Sequence, residues 1–169
     1  GFLTLYGAEL PFVDPRDLGK EEIESVCLVD TQSMISMKGM TEDTRVRVID
    51  HHKRREDAPE DWEITTEEIG ATATLFVEAI QEEDIAIDPI QATLLLLGIY
   101  EDTGSLTYTR TTPRDVRAAA YLLERGASLS IANDFLNHPL SLDQQAIYDQ
   151  LRQNAEHLEI YGQTIIVAS

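Results

Sequence analysis

The sequence predicts an α/β domain with a mostly parallel sheet flanked by helices. Two short apolar runs lie early in the chain, at residues 25–30 and 45–50, and several helical patterns follow them. Strands that precede a series of helices are typical of this fold class. The 169 residues, 43% of them hydrophobic, are enough for one domain with its own core.

The two apolar runs read S-V-C-L-V-D and R-V-R-V-I-D, and each ends in an acid, Asp30 or Asp50. Both runs predict strands of a buried or half-buried sheet. Cys27 is the only cysteine and lies inside the first run, where we expect it to be buried. A single cysteine excludes an internal disulfide and a multi-cysteine metal site.

Helical spacing and capping residues predict a series of helices after the strands. Asp88-Pro89 and Thr112-Pro113 each place an N-cap residue before a proline at the first helical position. Ser128 and Ser141 are expected to cap two later helices. The predicted helices cover residues 70–82, 89–100, 113–125, 129–137 and 142–157, and a hairpin is predicted over residues 159–168.

The predicted organisation is a partial domain over residues 1–157, followed by a strand or hairpin over 158–169 that leads into another domain. The chain opens without an initiator methionine or the basic segment of a signal peptide, so we expect the fold to be truncated at the N-terminus, inside a longer protein. No apolar stretch reaches the roughly 18 residues that a membrane span needs. We therefore expect a cytoplasmic protein with no membrane association.

The chain is strongly acidic, with 31 acidic and 13 basic residues and a net charge of −18. Such a surface repels nucleic acid backbones, which argues against a broad, non-specific duplex binder. It is compatible with a small phosphorylated ligand held by metal ions or by a local positive region. Adaptation to high salt would produce the same composition, and the sequence leaves both explanations open.

Carboxylates and histidines occur where the predicted strands and one helix end. Asp30 and Asp50 end neighbouring strands, and ligands of parallel sheets bind at the carboxyl ends of the strands. His51 and His52 follow directly, and both can reach one cavity where the chain turns. Asp102 ends an apolar helix, where the helix dipole and burial disfavour a carboxylate unless a cation is near. Together these ligand types suit manganese or magnesium. Taken singly, each could equally be a turn, cap or surface residue.

Several residues near this group are candidates for binding substrate. Lys53 and Arg54 belong to a basic cluster directly after His52, which either draws phosphate to the site or balances nearby acids. Thr72 and Thr74 lie at a predicted helix N-terminus, which could receive an anion or be capped by one of them. Arg110 and Arg114 could also contact substrate, although Arg114 could equally be a helix-surface residue. Other residues are expected to be structural or surface residues: Trp62, His138 and His157.

Five segments resemble, in order and spacing, the motifs of the DHH phosphoesterase superfamily. They are Leu28-Val29-Asp30, Val48-Ile49-Asp50-His51-His52, Gly70-Ala71-Thr72-Ala73-Thr74, residues 97–104 and Thr111-Thr112-Pro113-Arg114. The resemblance covers nearly the whole chain and corresponds to the second, third and fourth motifs of the superfamily. Within it, the sequence looks like the DHH module of large bacterial tRNA nucleotidyltransferases, which also carry CBS and polymerase domains.

The resemblance implies a two-metal site, usually manganese, that cleaves phosphate esters in nucleotides or in single-stranded RNA or DNA. It implies that Asp30 bridges the metals and that His51 and Asp102 are further ligands. It implies catalytic roles for Asp50, which orients a histidine, and for His52, which contacts the substrate phosphate. The substrate-binding candidates are therefore His52, which the resemblance implies, together with the residues named above from their own chemistry: Lys53, Arg54, Thr72, Thr74 and Arg110.

The first motif of the superfamily has no counterpart before Asp30, and its C-terminal substrate-binding domain is missing. We therefore expect an incomplete two-metal site and little or no activity of this chain by itself. Two alternatives stay open: a non-catalytic structural or nucleotide-sensing module, and a stand-alone oligoribonuclease or pyrophosphatase relative. The implied partners are the CBS and polymerase domains of the parent chain, with a homodimer left open.

Overall fold

A computed structural model describes residues 1–19, 21–33, 35, 37–137 and 141–168. The contacts within the chain form two compact units, residues 1–136 and residues 137–169. The predicted boundary after residue 157 falls within the second unit, and the division into domains stays a prediction.

The first unit contains a three-stranded parallel sheet with the order β1-β2-β3. Its strands are β1 (Ser25–Val29), β2 (Arg45–Asp50) and β3 (Glu63–Thr66). In the register, Leu28 lies opposite Val48, and Val48 lies opposite Ile64. Leu28 and Val48 pack with Val46 and with Trp62, which is buried as expected. The sheet confirms the first two predicted strands and adds β3.

The opposite face of the sheet is more open to solvent. Side chains alternate between the two faces along a strand. Because Leu28 points into the core, its neighbours Cys27 and Val29 point to the other face, and both are exposed. The expectation that Cys27 is buried was therefore wrong.

The other regular elements of the first unit are helices. They are α1 (Phe2–Tyr6), α2 (Thr72–Glu82), α3 (Pro89–Thr103), α4 (Pro113–Glu124) and α5 (Leu129–Leu136), with short 3-10 turns at Gly7–Glu9 and Pro15–Asp17. Asp88 caps α3, since its Oδ1 accepts hydrogen bonds from the backbone N–H groups of Ile90 and Gln91. Ser128 caps α5 through a bond from the N–H of Ile131. The locally encoded helix starts are thus confirmed.

Helix α3 is central to the helical part, because it contacts α2, α4 and α5. Its residues Leu96 and Ile99 are fully buried and pack with Val77 of α2 and Leu122 of α4. The helix runs to Thr103, three residues beyond the predicted end, and stops at Gly104, whose φ is +55°. The parallel sheet and its flanking helices confirm the predicted α/β class.

The second unit contains α6 (Leu142–Gln153) and a hairpin of β4 (Glu156–Ile160) and β5 (Gln163–Val167). The hairpin confirms that prediction, and its turn, Tyr161-Gly162, has two positive φ angles as a type I′ turn requires. The helix predicted to reach residue 157 was too long, because residues 156–160 pair with β5 instead. His157 is accordingly an exposed strand residue. His138 lies outside the described residues.

None of the helices in the described part of the chain is long and apolar enough to cross a membrane.

Candidate metal centre

The parallel pairing of β1 and β2 places two carboxylates at one edge of the sheet. Asp30 directly follows β1, and its N–H donates to the carbonyl of Ile49 at 3.0 Å. Its φ of +58° turns the chain away from the sheet, a conformation that aspartate tolerates better than most residues. Asp50 is the last residue of β2. Both carboxylates therefore lie at the carboxyl ends of neighbouring strands, as the sequence predicted.

The predicted carboxylates and histidines converge at this edge. One potential ligand atom from each of Asp30, Asp50, His51 and His52 lies within 4.8 Å of the others. The Nε2 atom of His51 is 3.5 Å from Oδ1 of Asp30 and 3.9 Å from Oδ2 of Asp102. Three segments that are distant in sequence, after β1, after β2 and near the end of α3, thus meet around one imidazole nitrogen.

The hydrogen bond at Nδ1, the other ring nitrogen of His51, determines whether Nε2 can act as a metal ligand. The Nδ1 atom lies 3.3 Å from the carbonyl oxygen of Ile69, which can only accept a hydrogen bond. In the neutral ring Nδ1 therefore carries the proton, and Nε2 presents a lone pair. This Nε2 is buried and has no hydrogen-bond partner among the described residues.

Asp102 completes the group from the end of α3. Partial burial raises the pKa of its carboxyl group, and the negative charge of Asp30 raises this pKa further. Two carboxylates beside an imidazole lone pair repel one another unless a positive charge lies between them. The arrangement is electrostatically unfavourable in the absence of a cation.

The donor set fits a divalent cation. Asp30 and Asp102 offer carboxylate oxygens, and His51 offers a neutral imidazole nitrogen that lacks another partner. Manganese and magnesium prefer oxygen donors, and manganese also accepts imidazole. The carbonyl of Ile69 supplies the outer hydrogen bond that metal-ligating histidines usually make.

Asp50 and His52 form a pair beside these donors. The buried Asp50 accepts two hydrogen bonds at Oδ1, from the Nδ1 of His52 at 2.7 Å and from the N–H of His52 at 3.0 Å. The side-chain amide of Gln32 donates to Oδ2 at 2.9 Å. Burial alone would raise the pKa of Asp50, but these hydrogen bonds hold it below its usual value. The carboxylate therefore orients the half-exposed ring of His52.

An open cavity of about 810 Å³ adjoins the histidines. Its lining includes four predicted substrate-binding residues, His52, Lys53, Arg54 and Arg110, and also Glu67 and Glu68. The complete lining is His51, His52, Lys53, Arg54, Thr66, Glu67, Glu68, Ile69 and Arg110. The cavity thus brings three basic side chains to the site in a protein of strongly negative net charge.

Thr72 and Thr74 are the two predicted substrate-binding residues that the structure does not bring to the cavity lining. The hydroxyl of Thr72 donates to Oδ1 of Asp30 at 2.7 Å and accepts the N–H of His51 at 3.1 Å. Thr74 is wholly buried, and its hydroxyl donates to Asp115 at 2.7 Å. Neither side chain caps α2, whose N-cap residue is Ala71. Both hydroxyls are engaged by carboxylates of the protein.

Arg114 also forms hydrogen bonds with carboxylates of the protein. Its guanidinium forms two hydrogen bonds with Glu78 of α2 and one with Glu67, in the segment after β3. These carboxylates hold the pKa of Arg114 above its ordinary value. The residue ties α4 to α2.

Two groups that support the site carry no local signal in the sequence: the side chain of Gln32 and the carbonyl of Ile69, whose partners lie 18 residues or more away in the chain. Asp115 was also missed, although it has a local signal. It stands three residues after Thr112, where an acid completes a capping box.

Comparisons with known proteins found relatives, although no family model matches the chain. An A-adding tRNA nucleotidyltransferase of Geobacter sulfurreducens is 36% identical over 99% of the chain and 20% of its own length. A cyclic-di-AMP phosphodiesterase of Bacillus subtilis is 33% identical over 72% of the chain and 18% of its own length. A probable manganese-dependent inorganic pyrophosphatase of Oceanobacillus iheyensis is 29% identical over 88% of the chain and 49% of its own length. The chain thus spans about a fifth of the length of the first two relatives.

Among solved structures, the chain is similar to an exopolyphosphatase-related protein from Bacteroides fragilis. The TM-score is 0.62 at 20% sequence identity, and the match covers 79% of this chain and 41% of that one. The likeness supports the α/β fold described above.

Proposed function

Because this chain belongs to the DHH phosphoesterase superfamily, we propose that it is a divalent-cation-dependent phosphoesterase domain. The proposed substrates are phosphate esters of nucleotides or of single-stranded nucleic acid, and the proposed ion is manganese, with magnesium as the alternative. The parent protein is proposed to be a larger nucleotidyltransferase that acts on tRNA. The names of the relatives from Geobacter sulfurreducens, Bacillus subtilis and Oceanobacillus iheyensis support these three parts of the proposal.

One observation carries the proposal: the buried Nε2 of His51 has no hydrogen-bond partner among the described residues and faces two carboxylates. A buried polar atom without a partner costs roughly 1–3 kcal/mol. A ligand that bonds to the atom would offset this cost. A cation held by His51, Asp30 and Asp102 would satisfy the lone pair and would neutralise both carboxylates.

The chain's own residues divide into two proposed groups around that cation. Asp30, His51 and Asp102 would hold the ion, which when bound would supply positive charge to a phosphate group and to a water nucleophile. His52, oriented by Asp50, would contact the substrate phosphate. The basic side chains that line the cavity, Lys53, Arg54 and Arg110, would attract the phosphorylated ligand.

Calorimetric titration with manganese tests the cation site. We expect the wild-type protein to bind manganese and Asp30→Asn to bind it at least about tenfold more weakly, because a charged donor is replaced by a neutral amide. Asp84→Asn is the matched control, since Asp84 also has a positive φ, +48°, and is exposed. Equal affinities for the wild type and Asp30→Asn would contradict the proposal.

The 169-residue chain is proposed to have little or no hydrolytic activity. Among the described residues, the candidate donors outside the Asp50–His52 pair are His51, Asp30 and Asp102, which is a donor set for one ion and not for two. The same count favours the second candidate function, a module that binds a nucleotide without cleaving it. Incubation of the chain with manganese and adenosine nucleotides separates the two: NMR reports binding, and chromatography reports product.

A further inference from the structure

The fully buried carboxylate of Asp115 has no role in the proposed function so far. It lies in the first turn of α4 and accepts hydrogen bonds from the hydroxyl of Thr74, the N–H and hydroxyl of Thr112, and the N–H of Gly70. Burial alone would raise its pKa, but these four bonds hold the pKa below its usual value. The side chain is therefore a buried negative charge, which proteins retain only when it is well satisfied.

One of these bonds leads directly to His51. The N–H of Gly70 donates to Oδ2 of Asp115 at 3.1 Å. The carbonyl of Ile69, which belongs to the same peptide group as that N–H, accepts from Nδ1 of His51 at 3.3 Å. A single peptide group thus separates the carboxylate of Asp115 from the imidazole of His51. A Cβ atom at residue 70 would lie 2.5 Å from Oδ2 of Asp115, so this close approach needs glycine.

We infer that Asp115 is a positioning residue that acts on His51 through the Ile69–Gly70 peptide group. A negative charge at the N–H end of a peptide polarises it and makes the carbonyl a stronger acceptor. The stronger acceptor favours the tautomer that carries the proton on Nδ1 and the lone pair on Nε2. The arrangement is equivalent to a carboxylate–histidine–metal chain with a peptide inserted. The part of the inference that concerns cation affinity rests on the proposed function, whereas the part that concerns the imidazole does not.

Nitrogen-15 NMR of the imidazole in cation-free protein directly tests this relay, the coupling of Asp115 to His51 through the Ile69–Gly70 peptide group. We expect His51 to be protonated at Nδ1 in the wild type and its Nδ1–H signal to move upfield in Asp115→Asn. Asparagine can still accept from Gly70 if its amide group faces the Thr74 hydroxyl, so the variant removes the charge and keeps the shape. Thr74→Val is the matched control, because it removes a bond to Oδ1 and leaves the charged Oδ2 in place.

The Thr74→Val control separates positioning from general destabilisation. Thr74→Val should lower stability and leave the His51 signal in its wild-type position. The inference is overturned if the wild-type ring is protonated at Nε2, if Asp115→Asn leaves the signal unchanged, or if both variants shift it equally. These outcomes hold whether or not the protein binds a cation.

Calorimetry with manganese gives the second readout. Asp115→Asn should weaken binding about tenfold, the lower end of the range for outer partners of metal ligands, and Thr74→Val should not weaken it. Glu101→Gln removes an exposed charge beside Asp102 and controls for long-range electrostatics. An equal loss of manganese affinity in Glu101→Gln would mean that the removal of any nearby negative charge weakens binding, and it would overturn the relay. Absence of binding in the wild type would instead defeat the proposed function, and the NMR result would still stand.

Discussion

Two adjacent histidines have different environments at this site because their Nδ1 atoms meet different acceptors. His51 faces the backbone carbonyl of Ile69, and His52 faces the carboxylate of Asp50. In both rings Nδ1 is the hydrogen-bond donor, because a carbonyl oxygen and a carboxylate can only accept. The sequence could predict that the two imidazoles approach one cavity, because strand ends meet at one edge. The family resemblance implied that Asp50 orients a histidine, whereas the carbonyl of Ile69 lies outside the strand pattern and could not be predicted.

Gln32 was not predicted, although it organises the segment that carries His52. Its amide donates to Asp50 at 2.9 Å and to the carbonyl of Lys53 at 3.1 Å, and its oxygen accepts the N–H of Arg55 at 2.9 Å. Its side chain is buried, so each bond is protected from water. Its nearest partner is 18 residues away, which explains why the local sequence gives no sign of the role.

Gln32→Leu is therefore expected to destabilise the fold by roughly 1–3 kcal/mol, because buried polar partners lose their hydrogen bonds. Urea denaturation measures this loss. Manganese affinity should stay near the wild-type value, since Gln32 bonds to neither His51 nor Asp102. Gln81→Leu, at an exposed position of α2, is the control and should change stability by less than about 0.5 kcal/mol. A stability equal to wild type for Gln32→Leu would refute the structural role.

At the scale of whole elements, the parts that local chemistry encodes were predictable. Asp88 with Pro89 and Ser141 with its capping box mark helix starts within three residues of sequence. Strand β3 was missed because it is four residues long and contains one apolar residue, Ile64, so it shows no apolar run. Its strand character comes from pairing with β2, a non-local interaction. The end of α6 was missed for the same reason, since residues 156–160 pair with β5 and form a strand.

The segment between β3 and α2 shows how packing between elements constrains a single glycine. A Cβ at Gly70 would lie 2.5 Å from Oδ2 of Asp115 and 2.8 Å from Cγ2 of Thr103. We expect Gly70→Ala to destabilise the protein by at least about 2 kcal/mol, because both neighbours are fully buried. Thermal denaturation followed by circular dichroism measures the effect.

Gly98→Ala is the comparison, since Gly98 lies inside α3 and its added Cβ would meet only the Cβ of Ala73, at 3.1 Å. The gain in helix propensity, about 1 kcal/mol, should largely offset this closer contact. Equal losses of stability for Gly70→Ala and Gly98→Ala would show that the close approach of residue 70 to Asp115 is not the cause of the destabilisation.

For the whole molecule, the dominant physical property is the net charge of −18. Lys53, Arg54 and Arg110 line the cavity beside the candidate metal centre, so positive charge is concentrated where a phosphorylated ligand would enter. The rest of the chain carries a large excess of carboxylates, which repel one another in the folded state. The sequence could predict this repulsion from composition alone, whereas the placement of the basic residues required the fold.

Added salt should therefore stabilise the folded protein at neutral pH. Raising sodium chloride from about 0.05 to 1 M shortens the Debye length from more than 10 Å to about 3 Å and screens the carboxylate repulsion. The exposed ion pairs that salt also weakens, such as Arg55–Asp57, contribute little. We expect a gain of at least about 1 kcal/mol, or about 2–4 °C in Tm, measured by differential scanning calorimetry. Potassium chloride should act equally, because screening depends on ionic strength and not on the identity of the cation. A Tm that falls as salt is added would mean that attractive ion pairs outweigh the net negative charge.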